Sequence, residues 1–189
     1  MSLLPFCQWL AGTPGSIALH ESVYIYPLVE SVHVLTLCVF LGLAVMFDLR
    51  LLGVTLTTVP MTQLKQQIGP WMTGGFIVMI ITGVMLFGAV PVRSYQSIWF
   101  RTKVVALVLA GVNAFVFHRT VDRRIEEWDT DPVPPRAARL AGARSLLLWT
   151  VIVVAGRMIA YNWFDCDKQP QRHIVNTLAG CVVPAEGVR

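Results

Sequence analysis

Charge is what this chain has least of. Only 14% of its 189 residues are Asp, Glu, Lys or Arg, against about 25% in soluble domains, and no Lys or Arg precedes Arg50. A net charge of +4, with the basic residues gathered mostly in one loop between apolar runs, excludes a nucleic-acid face. An N-terminus with no basic n-region does not read as a secretory signal, so no cleavage is expected there. The templates of soluble enzymes are missing too: there is no Gly-rich phosphate loop, no Cys-x-x-Cys pair and no nucleophile elbow. No repeat of about 20 to 50 residues is present, which removes solenoids and propellers. What the chain does have is apolar length. Hydrophobic residues make up 55% of it and the mean hydropathy is +0.62, which marks a membrane protein whose first partner is the lipid bilayer. Helices already solvated by lipid associate through packing and polar contacts, so one domain of several helices needs no large soluble core.

Taken in order, residues 1–21 hold Phe6, Trp9, Leu10 and Ile17 among Pro5, Gly12, Pro14 and Gly15. They read as a broken interfacial segment with an aromatic anchor. Spans of about 20 residues cross the hydrocarbon core, and four are expected within a domain of residues 22–163, at about 22–47, 71–90, 98–117 and 145–163. Between the first two, Pro60 begins a short surface helix that Gly69-Pro70 ends. Residues 164–189 form a polar tail. The expected fold is all-α: an integral membrane bundle of four antiparallel helices with short interfacial helices.

Lys and Arg asymmetry orients the bundle. Arg50, Lys65, Arg119, Arg123, Arg124, Arg136, Arg139 and Arg144 fall on one side, whereas Arg93, Lys168, Arg172 and Arg189 fall on the other. The positive-inside rule puts the first set in the cytoplasm and both termini outside. Cys166 and Cys181 then lie on the oxidising side. A disulfide between them would contribute about 3 kcal/mol by the chain-entropy estimate; Cys7 shares that side and competes for it, whereas Cys38 is a small apolar residue in mid-span.

Ionisable groups at membrane depth are costly, so each is a site candidate. Tyr26, Glu30, His33 and Leu37 share one helical face, with Ser22 and Asp48 close to it, and this face is expected to look into the protein. At about 1.5 Å per residue, Glu30 lies about 10 Å deep, His33 about 15 Å, Lys103 about 7 Å and Arg157 about 6–9 Å, all in the outer half. An ion pair of Glu30 with Arg157 or Lys103 would explain these residues by packing alone. The sharper reading is a ligand pocket near the outer leaflet. In it His33 ligates haem iron or another metal through a neutral nitrogen, while Arg101, Lys103 and Arg157 hold anionic groups, with Asn113 and Tyr161 on neighbouring faces. A bis-histidine haem needs a second imidazole at that depth, yet His118 lies about 30 Å along its helix, and His20 and His173 lie outside. Glu30-x-x-His33 has the spacing of a di-iron helix, but such sites need two of these motifs and further carboxylates.

Three stretches resemble known membrane proteins. The run from His33 to Gly42, the Thr82-Gly83 pair, and Lys103 with Asn113 resemble helices of the copper-resistance D type proteins and of the membrane domain of cytochrome-c-linked urate oxidases. Glu30-Ser-Val-His33, Asp48-Leu-Arg50-Leu-Leu-Gly53 and Gly156-Arg157-Met-Ile-Ala-Tyr161-Asn162 look more closely like a family of small bacterial inner-membrane proteins of unknown function, over residues 9–162. The resemblance implies a multi-pass inner-membrane module associated with haem, copper or respiratory redox work. The expected function is a redox-associated subunit, not an autonomous enzyme, that binds haem b or a quinone through His33 with Glu30, Lys103 and Arg157. Its expected partner is a membrane or periplasmic redox protein, or a second copy. Two other classes stand beside it: a proton-coupled or metal-ion transport component, and a structural or assembly subunit.

Overall fold

The structure is a computed structural model and describes residues 3–161, 173–179 and 181. Its elements are α1 (Leu4–Ala11), α2 (Pro14–Glu21), α3 (Ile25–Leu52), α4 (Met61–Ala89), α5 (Pro91–Gln96), α6 (Ile98–Thr120), a 3-10 helix (Asp122–Glu127), α7 (Arg136–Tyr161) and α8 (His173–Ala179). Among the described residues every regular element is helical. α3, α4, α6 and α7 are each long and apolar enough to cross a bilayer, yet only 17% of each apolar window is buried inside the protein. Leu35, Val84, Val105 and Leu147 are all more than half exposed. Apolar faces this open need lipid as their solvent, and hydrogen bonds closed within each helix are what lipid demands. The chain is therefore a multi-pass membrane protein with four candidate spans.

The spans pack in the order α4–α3–α7–α6. α4 and α6 are not closely packed along their length, but Phe87 of α4 stacks on Phe100 of α6 with centroids 5.4 Å apart. In mid-bundle, Phe40, Ala44, Met79, Ala106, Trp149 and Ile152 form one core, with Phe40 and Trp149 edge to face at 4.8 Å. A second core lies at the end that carries the 3-10 helix, around Leu51, Met61, Leu64, Phe117 and Trp128. We call this the loop end, and the opposite one, where α1, α2 and α5 sit, the cap end.

Local chemistry sets the boundaries. Thr13 caps α2 through its side chain with Pro14 in the first turn, and Ser97 caps α6 by accepting the Phe100 N–H, both standard N-terminal devices. α3 stops at Gly53, whose φ of +73° is the left-handed position that suits glycine. The Gly53 and Val54 N–H groups donate back to the carbonyls of Arg50 and Leu49, which satisfies the last turn. At the cap end the Ser16 hydroxyl donates to the Gly88 carbonyl at 2.6 Å, fixing α2 against the end of α4. Trp9 and Phe6 stay 64% and 54% exposed as surface anchors.

Two boundaries differ from the sequence expectation. The short helix after Pro60 and the second span are one continuous helix, α4, with Pro70 inside it. Proline withholds one N–H from the ladder, but the Gln66 carbonyl that would have accepted it belongs to an exposed residue and water there can replace the bond. α7 likewise begins at Arg136, well before residue 145, because its basic first turns are good helix formers once outside the apolar layer.

Candidate functional site in the cap half of the bundle

His33 on α3 points at α4. Its Nδ1 lies 2.8 Å from the Thr82 hydroxyl, and that hydroxyl also lies 2.7 Å from the Val78 carbonyl. A hydroxyl has one hydrogen. Donated to Val78, as a helical threonine does, it leaves Thr82 Oγ1 to accept from Nδ1–H. The neutral ring then carries its lone pair on Nε2, aimed away from Thr82. Gly83 keeps this side open: a Cβ there would touch His33 Cε1 at 3.5 Å, so the ring lies against bare backbone.

Lys103 enters from α6. Its ammonium lies beside α7, where a Cβ on Gly156 would stand 3.6 Å from Nζ. Lys103 is half-buried, makes no ion pair among the described residues, and lies within electrostatic range of His33. All four spans thus contribute: an imidazole from α3, its orienting hydroxyl from α4, an ammonium from α6, and a glycine of α7 that lets it approach. Along the helices this layer sits between the Phe40–Trp149 contact and the Phe87–Phe100 stack.

The other expected site residues lie elsewhere. Glu30 is exposed and makes no ion pair among the described residues; the packed arc of α3 runs through Val29, His33, Phe40 and Ala44, and Glu30 falls at its edge. Arg157 is exposed and donates to the Tyr161 hydroxyl of its own helix at 3.1 Å, its guanidinium 5.1 Å from that ring. The pairing of Glu30 with Arg157 or Lys103 is thus replaced by a local Arg157–Tyr161 contact. Arg101 turns to the cap end, where it donates to the carbonyls of Tyr95, Leu178 and Ala179 and clamps α8 to α6. Asn113 donates to the Ala141 carbonyl at 3.0 Å, tying α6 to α7 nearer the loop end. His118 is at the loop end, 3.1 Å from Asp122, and His20 is exposed on α2. No second described imidazole comes to His33, so its surroundings do not fit a bis-histidine haem. Among the described residues no group of three or more His, Cys, Asp and Glu side chains gathers as a metal centre. Cys7 and Cys38 are free thiols, and burial pushes the Cys7 thiol up, which makes it unreactive. Cys181 is disulfide-bonded; Cys166 lies outside the described residues.

The sequence reading noted the Thr82-Gly83 pair only for packing and resemblance and gave Thr82 no part in the site, although a hydroxyl beside a glycine in mid-span was a usable signal. It also took Arg50 for a topology marker. In fact Arg50 is fully buried, and Asp48 is also buried, with its backbone carbonyl packed against Gly142 of α7.

No curated protein and no solved structure matches the chain, and no match ties it to the copper-resistance D or urate oxidase membrane proteins that its helices resemble. Residues 15–162, a stretch that takes in all but the last helix and the first, match a family described as "Family of unknown function (DUF6644)", and the chain belongs to that family.

Proposed function

We propose that the protein is a redox-associated inner-membrane subunit that holds a quinone headgroup between His33 and Lys103. One observation carries the reading: two strong polar groups from different spans, the His33 Nε2 and the Lys103 ammonium, share a layer in the cap half of the bundle and neither is neutralised by a carboxylate. Such groups are expensive at membrane depth unless a ligand uses them. A quinone or quinol fits their chemistry. Lys103 donates to one carbonyl oxygen, and His33 accepts from a hydroxyl when neutral or donates to a carbonyl when protonated. The loose packing between α4 and α6 below the Phe87–Phe100 stack is the side on which a lipid-soluble ligand can approach. In this reading both termini are periplasmic, and electrons pass to a membrane or periplasmic redox partner or to a second copy.

Haem b is the second reading, favoured by the Nδ1–Thr82 bond, since a ring fixed in this way would leave Nε2 free to hold haem iron with His33 as the one protein ligand. The two are separated by titrating purified protein in mild detergent with decylubiquinone and recording its visible spectrum. Saturable quinone binding that His33→Ala and Lys103→Met each weaken by about tenfold or more, with no Soret band, is the expected result. A Soret band lost in His33→Ala selects haem, and binding indifferent to both substitutions removes the quinone reading.

A further inference from the structure

The outward face of α7 sets arginines beside exposed leucines where the helix enters the apolar layer. Arg144 is exposed, and so are Leu140 one turn before it and Leu147 one turn after it, at 54% and 66%. At the edge of the apolar span such an arginine turns its guanidinium to the headgroup layer while its stem and the two leucines lie along acyl chain. Arg136 and Arg139 are exposed on the same helix one to two turns nearer the loop end, and by helical phase all three arginines fall within a single arc. α7 contains no Asp or Glu, and no ion pair joins these arginines to the loop carboxylates. Asp122 is taken by Lys65 and His118, and Asp129 by Thr62, while the exposed Glu126, Glu127 and Asp131 make no ion pair with these arginines.

Further along that face lies an independent feature. Val151, Val154 and Ala155 of α7, with Trp99 and Thr102 of α6, line a groove of about 250 Å³ with almost no polar surface. It begins about 10 Å beyond Arg144 and extends to about 16 Å, and Leu147 lies between the two. A cationic cluster at one end and an apolar groove within acyl-chain reach at the other are the two halves of a lipid site.

We propose that this face binds an anionic phospholipid, its phosphate held by Arg136, Arg139 and Arg144 and one acyl chain laid past Leu147 into the Trp99 groove. Guanidinium meets phosphate two-pronged, and a headgroup at this position lets Arg144 keep a counter-ion while its leucine neighbours stay in contact with acyl chain. The site is independent of the His33 layer.

Trp99 is its reporter. The full chain in nanodiscs is given phosphatidylglycerol or phosphatidylcholine with brominated acyl chains, and the Trp99 contribution is taken as the difference between wild type and Trp99→Phe. Brominated phosphatidylglycerol should quench Trp99 at far lower mole fraction than brominated phosphatidylcholine, with a preference that falls roughly fivefold for each arginine replaced by glutamine. Because these side chains are exposed, the triple variant should keep its thermal midpoint; if it does not fold, Arg144→Gln alone must show the fivefold loss. Equal quenching by the two lipids, a preference that survives the substitutions, or its abolition by millimolar inorganic phosphate would each overturn the proposal. The last outcome would mark a site for free anions instead of lipid.

Discussion

Arg50 has no solvent exposure. Its Nε donates to the Val59 carbonyl at 3.1 Å, and its Nη2 lies 3.3 Å from the carbonyls of both Asp129 and Asp131. Asp129 in turn accepts from the Thr62 N–H and hydroxyl at 2.7 and 2.8 Å. One side chain therefore ties the α3–α4 connection to the loop before α7. A lysine cannot span those acceptors as the planar fork does, so Arg50→Lys should lower stability by about 2 kcal/mol, read from the thermal midpoint in mild detergent. An unchanged midpoint would show that the carbonyl cradle is incidental. At Asp122, burial pushes the carboxyl up, but hydrogen bonds from Lys65 and His118 and their charges outweigh it and hold the group below the usual carboxylate range. A depressed folded value means that its stabilisation is present above the ordinary carboxylate pKa and is lost as pH falls through the folded one. Asp122→Asn should therefore flatten the acid limb of a stability–pH curve and leave its basic limb unchanged. Glu30, exposed and unpaired among the described residues, should show a coupling to Lys103 below about 0.5 kcal/mol in a double-mutant cycle of unfolding. A coupling of more than about 1 kcal/mol would restore the ion pair that stripe counting alone led us to expect. The helical wheel locates the face but not its edges, which depend on where the neighbouring helices lie.

The helices were legible as apolar runs because lipid imposes one secondary structure and a minimum length. Their ends were less so. Pro60 read as a start, and α4 does begin beside it at Met61; Gly69-Pro70 read as a stop, which tertiary packing overrode: Met61, Leu64 and Ile68 are buried in the loop-end core, and their contacts hold the helix through the proline. Small residues marked the second span for close approach, and Gly75 and Gly83 do stand against α3, but the tightest approach, at Gly142, was not marked. Gly142 of α7 faces α3 so tightly that a Cβ would stand 3.0 Å from the Asp48 carbonyl oxygen and 3.1 Å from Leu51 Cβ, both parts of the α3 turn that carries Asp48 and Arg50. Gly142→Val should push α3 off α7 and lower the thermal midpoint, whereas Gly74→Ala, with open space around the new methyl, should be neutral. Equal tolerance of both would contradict the α3–α7 packing.

At the scale of the molecule, the four-span bundle followed from hydropathy, while depth counting along the helices proposed a polar cluster around His33. The membership of that cluster did not follow. Arg157, Arg101 and Asn113 each satisfy themselves locally or at another level of the bundle, which no single-helix projection reveals, while Thr82 enters only because α4 places it opposite His33. With Cys7 and Cys38 free and Cys181 disulfide-bonded, the proposed Cys166–Cys181 bridge should appear as one cross-linked peptide in non-reducing mass spectrometry, and two unlinked peptides would reject it. Above all stands the claim that His33 and Lys103 hold a ligand from the lipid phase. It is tested most directly by purifying wild type, His33→Ala and Lys103→Met in mild detergent and extracting each with organic solvent to determine quinone per chain. Quinone retained by wild type near one per chain and lost from both variants, with all three equally folded, is the predicted result; wild type carrying no more quinone than the variants would contradict it.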